Sequence, residues 1–136
     1  MTTTVHRAAS GWRVFGTGAL AGALAVAVNL AIRALVLAFL VRPDVPYPLV
    51  LPPVVEFTLL STLLGTAVFL VLRRFTGDPL RWFAFAALGV VALSWIAPLV
   101  LFVQGEITVG VFAALVAMHV TPAVVLMAAL QRTVRS

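Results

Sequence analysis

Four apolar runs, each about long enough to cross a bilayer, leave this chain few folds to choose from. They cover residues 14–41, 54–72, 82–103 and 109–130. A helix needs about 20 apolar residues to span the hydrocarbon core, whereas a spanning strand needs about 9–11 that alternate in polarity. None of the four runs alternates, so all four are expected to be helices. Composition agrees: 63% of the 136 residues are hydrophobic and 10% charged, and mean hydropathy is +1.19. Soluble domains carry about 45–50% apolar and about 25% charged residues, and one of this size cannot hide so much apolar side chain. Lipid is an acceptable solvent for outward helix faces. The expected fold is an all-α membrane protein, a single transmembrane domain over residues 1–136.

The connections set the topology. Residues 42–53, RPDVPYPLVLPP, hold five prolines and read as a stiff extended loop, because proline lacks the backbone donor a helix needs. Residues 73–81, RRFTGDPLR, turn at Gly77-Asp78-Pro79, and residues 104–108, QGEIT, close the last hairpin. Loops this short make sequential helices antiparallel neighbours, giving an antiparallel four-helix bundle. Arg7, Arg13, Arg73, Arg74, Arg81, Arg132 and Arg135 fall on one side, and Arg42 alone on the other beside Asp44 and Glu106. By the positive-inside rule both termini are expected to be cytoplasmic. Trp12 and Trp82 suit the cytoplasmic interface, and Tyr47 the outer one. The first run resembles a leader peptide, with Ala25-Val26-Ala27 as a cleavage box. It continues far past a leader's apolar length of about 7–15 residues and is read as an uncleaved span.

The net charge of +5 comes from nine arginines against four acids. Such a balance usually raises nucleic-acid binding. Here the arginines sit at the ends of apolar runs, where lipid headgroups and topology account for them. With no cysteine, disulfides, thiolate metal sites and thiol redox chemistry are excluded.

Ionisable groups in hydrocarbon cost about 2.5–3.5 kcal/mol on insertion scales, so each needs a partner or a purpose. At about 1.5 Å rise per residue, Asn29 lies near the middle of the first span and Arg33 about 8 Å outward. Glu56, about 10 Å outward from the middle of the second span, shares that depth, and an Arg33–Glu56 ion pair is expected. Thr62, Ser94 and His119 fall level with Asn29, forming a polar belt. Asn29 and Arg33 share one helix face with Ala25, Gly22 and Gly18, and Gly18-x-x-x-Gly22 is a pattern that lets helices approach closely. On the second span Thr58, Ser61, Thr62, Gly65 and Thr66 form a matching stripe, with Glu56 well around the cylinder from much of it. Pro98 and Pro122 lie inside the third and fourth spans and free the carbonyls of Ser94 and Met118 beside the belt.

Each of these residues has a structural reading beside a functional one. Arg33 and Glu56 form a clasp, snorkel to the headgroups, or bind an anionic or zwitterionic ligand. His119 is a hydrogen-bonded neutral imidazole that glues helices, or it serves proton relay, ligand contact or acid–base chemistry. No spacing supports a catalytic set. His6 lies in the tail, which leaves one membrane histidine, so neither metal nor haem is expected. Gly16 and Gly18 are packing glycines, not a nucleotide loop. No cofactor is expected.

Asn29 in the first span, the proline-rich loop, the threonine-bearing second span and Met118-His119 give the chain a further likeness. It resembles a family of small, uncharacterised four-helix membrane proteins found mainly in actinobacteria, a domain-of-unknown-function family. The resemblance implies the four-helix fold and a bacterial plasma membrane, and carries no activity or site residues. The first expectation is a non-enzymatic protein that binds or helps move a small or lipidic molecule, with Asn29, Arg33, Glu56, Thr62, Ser94 and His119 as its ligand-binding residues. Its partners would be membrane lipids and a small amphiphile. A second is a structural or assembly subunit, a homo-oligomer among its forms, packing through small-residue faces. A third is an intramembrane enzyme using His119.

Overall fold

A computed structural model describes residues 10–40 and 46–135, with the Tyr47 side chain outside the description. His6, Arg7, Arg42 and Asp44 also lie outside the described residues. The chain is helical almost throughout: α1 (Gly11–Phe39), α2 (Leu51–Phe75), α3 (Pro79–Ser94), α4 (Ile96–Val103) and α5 (Val109–Arg135). Together α3 and α4 make one span, so four helical spans are long and apolar enough to cross a membrane.

Helix ends depart from the apolar runs for local reasons. α1 starts three residues before the first run because the Ser10 hydroxyl accepts the Arg13 N–H at 3.3 Å, capping an otherwise unpartnered donor. α2 begins at Leu51, inside the stretch expected to be an extended loop. Pro52 and Pro53 occupy its first turn, where a helix has no use for their missing N–H groups. Before them, Tyr47–Leu49 form one 3₁₀ turn. α3 opens with Asp78 as its cap and Pro79 as its first residue. α4 closes at Gly105, whose φ of +75° suits a residue without Cβ. There Gly105 N–H bonds the Phe102 carbonyl at 3.0 Å and Glu106 N–H the Leu101 carbonyl at 3.0 Å, a Schellman ending. α5 runs on to Arg135, with Arg132 and Arg135 in its last turn, where helix carbonyls favour cations.

α1 packs against α2 and α5, while the third span leans on α2 and α5 from the far side. Two apolar cores result. One includes Val14, Phe69, Phe83 and Leu130 at the end where Arg13, Arg73, Arg74, Arg81, Arg132 and Arg135 gather, and Phe69 meets Phe83 edge to face. The other includes Val36, Leu49, Val54 and Ile107 at the loop end. Buried Asn29, Thr58 and Thr62 lie between them.

The α1–α2 seam shows why small residues stand where they do. A Cβ on Gly18 would collide with the Thr66 side chain, and one on Gly22 would stand 2.8 Å from Thr62 Oγ1. Thr58, Thr62 and Thr66 recur every four residues and are all buried, and Gly18 and Gly22 of α1 seat Thr66 and Thr62 of α2. Their hydroxyls return to their own helix, Thr58 to the Val54 carbonyl at 2.6 Å and Thr66 to the Thr62 carbonyl at 2.7 Å. That leaves no unmet donor in the seam.

The third span is different. Only 6% of its most apolar stretch is buried, against 28% in each other span. Pro98 cannot donate to the Ser94 carbonyl, and the helix breaks at Trp95, whose N–H turns back to the Ala92 carbonyl at 3.3 Å.

Candidate functional site

At the centre of the bundle stands Asn29, 2% exposed. Its Nδ2 donates to Thr58 Oγ1 at 2.9 Å and to the Met118 carbonyl at 3.1 Å. The amide orientation is dictated by the partners. The Thr58 hydroxyl already donates to Val54, and a carbonyl can only accept, so both positions require N–H groups. Pro122 is the reason Met118 has a carbonyl to offer, since it stands four residues on without an N–H. One side chain of α1 therefore joins α2 to α5 through an acceptor that proline exposes. Asn29 Oδ1 is buried with no partner among the described residues.

Beside this cluster runs a groove of about 770 Å³ between α2, the third span and α5. Asn29, Thr58, Ser61, Ser94 and His119 reach it, among mostly aliphatic neighbours, and among the described residues no Asp, Glu, Lys or Arg lines it. It is open along α2 and α3, where lining residues such as Leu64 and Val90 are exposed. The opening follows from the slack packing of the third span.

The expected belt is thus divided. Asn29, Ser94 and His119 share the groove. His119 is half-buried, its Nδ1 2.6 Å from the Leu115 carbonyl one turn back. Ser94 donates to the Val91 carbonyl at 2.7 Å. Thr62 faces the α1–α2 seam instead, its hydroxyl shared between the Leu59 and Thr58 carbonyls.

Arg33 and Glu56 do not pair; their interaction is replaced by another. Arg33 Nε donates to the Leu49 carbonyl at 2.7 Å, pinning the 3₁₀ turn to α1. Glu56 is exposed, about 200° around α2 from both Val54 and Thr58 on the buried stripe. Depth estimated along a helix says nothing of the direction a side chain faces, and neither residue lines the groove.

Two participants lay beyond the expected site set. Thr58 was visible as part of the α2 stripe, but not as the partner of Asn29. Leu49 offers a backbone carbonyl, for which side-chain identity carries no signal. Among the described residues no group of three or more His, Asp or Glu could hold a metal ion.

Four antiparallel apolar helices around a buried polar cluster, with a groove open at one side, define a multi-pass membrane protein. The chain belongs to a family of unknown function, DUF6069, whose model matches residues 6–136. No curated protein and no solved structure matches the chain.

Proposed function

We propose that this is a non-enzymatic membrane protein that binds, or helps move, a lipidic molecule by taking one apolar chain into the groove beside His119. The groove carries the argument. Its walls run from Leu115 to Leu126 on α5 and from Phe83 to Leu101 on the third span, about 16 Å and 27 Å at the rise of a helix. The 770 Å³ is drawn out over about 20 Å, a long slot whose shape suits a flexible chain. Lateral opening would admit such a chain directly from the bilayer. The working orientation is in a bacterial plasma membrane with both termini cytoplasmic, which the arginine bias supports.

An assembly role loses its motivation, since Gly18 and Gly22 already seat Thr66 and Thr62 within the chain. An enzyme using His119 gains none, because the ring is held by a backbone carbonyl and no carboxylate lines the groove.

Photolabelling tests the proposal. A single-chain lipid carrying a diazirine should label the groove faces of α2 and α3 in the full-length protein reconstituted in nanodiscs. Ser61→Phe, which fills the groove from α2, should reduce labelling without changing thermal stability. Labelling spread evenly over outward positions such as Leu20 and Leu24, and indifferent to Ser61→Phe, would overturn it.

A further inference from the structure

The polar groups of the groove share a property that their residue names conceal: nearly all of their hydrogens are already engaged. Both N–H groups of Asn29 are used, on Thr58 and Met118. The Thr58 hydroxyl donates to Val54, Ser61 to the Thr58 carbonyl at 2.9 Å, and Ser94 to Val91. At His119 the Leu115 carbonyl can only accept, so Nδ1 carries the hydrogen, and Nε2 is the ring nitrogen left to face a ligand, an acceptor when the ring is uncharged. Asn29 Oδ1 adds a buried acceptor with no partner among the described residues. Pro98 has no N–H to give the Ser94 carbonyl. Among the described residues the wall offers mostly lone pairs, and no Asp, Glu, Lys or Arg lines it.

From this we infer that the groove selects a single-chain amphiphile bearing a hydrogen-bond donor, an alcohol or an amine, with His119 Nε2 as the principal acceptor. The inference rests on the chain-binding reading above and adds the chemistry of the head. A carboxylate is an acceptor only. In this groove it would meet lone pairs and lose its hydration without compensation. An ester of the same length fills the same space but has no hydrogen to give. A hydroxyl or ammonium finds acceptors where the hydrocarbon of the bilayer offers none.

Chain-matched competitors separate the two levels of the claim. A long-chain alcohol, primary amine, methyl ester and carboxylate are each titrated against the bound diazirine lipid, using the intact protein in nanodiscs. The alcohol or the amine should displace the probe at concentrations about 3- to 15-fold lower than the ester, the span expected of one hydrogen bond within a membrane. The carboxylate should be the weakest. Comparing alcohol with amine tells a neutral donor from a cationic one. His119→Phe should abolish the preference, so that alcohol, amine and ester displace the probe at similar concentrations. The competitor ranking is measured on the unaltered chain, so it decides the matter whether or not that variant folds. Equal displacement by ester and alcohol, or preference for the carboxylate, would overturn the donor inference while leaving chain binding intact. No displacement by any of the four would overturn both.

Discussion

Single residues decide which polar groups in this bundle are structural. The exposed carbonyl beside Pro122 could be anticipated from the sequence, because proline removes the donor four residues after Met118 wherever the helix lies. That Asn29 would supply the replacement donor could not, since it depends on how α1 rotates against α5. Removing the amide tests the arrangement. Asn29→Leu should lower stability by about 0.6–1.7 kcal/mol, the range of interhelical hydrogen bonds in membranes, as measured by unfolding in mixed micelles. Pro122→Ala returns an N–H to Met118, so the loss caused by Asn29→Leu should shrink in that background; an unchanged loss would mean the carbonyl bond contributes nothing. Arg33 and Glu56 were expected to act as a pair and act apart. Glu56→Gln should therefore change stability by no more than about 0.5 kcal/mol, as for other surface substitutions. Arg33→Leu removes a charged bond to Leu49 and should cost about 1 kcal/mol, discounted for partial exposure. Equal effects from the two changes would restore the ion pair.

At the scale of elements, close approach is what α1 and α2 achieve and the third span forgoes. Gly18-x-x-x-Gly22 announced a close contact, and the threonine stripe of α2 announced its partner; their spacing of four made both readable. The size of that contact is testable. Gly18→Val must push Thr66 aside and should destabilise the bundle by about 1–3 kcal/mol, the cost of overpacking. Gly16→Ala, in open space on the same helix, should be neutral or stabilising by up to about 1 kcal/mol. A similar loss at both positions would show that the seam contact is not what sets the cost. The third span gave less warning. Its apolar run predicts a helix, and Pro98 predicts a weakness. Its loose seating on α2 and α5, which opens the groove, comes from what the other helices bury among themselves.

Across the whole molecule, four spans return the chain to the side on which it started, whichever side that is. Cysteine introduced at Ser10 and Thr133, in this cysteine-free chain, should react with an impermeant maleimide from the same face of sealed vesicles. In bacterial inner-membrane vesicles that face should be the cytoplasmic one. Labelling from opposite faces would remove the four-span topology, and labelling only from the outer face would reverse the orientation. Helix number and helix class were determined by the sequence alone, because hydrocarbon thickness and hydropathy act on each segment independently of its neighbours. Rotation of each helix about its own axis was not. A helix in lipid may present almost any apolar face outward, and which face turns inward is settled only by contacts among all the helices. Tertiary packing therefore decided that Asn29 meets Met118, that Glu56 turns away from Arg33, and that His119 borders an open groove rather than a sealed core.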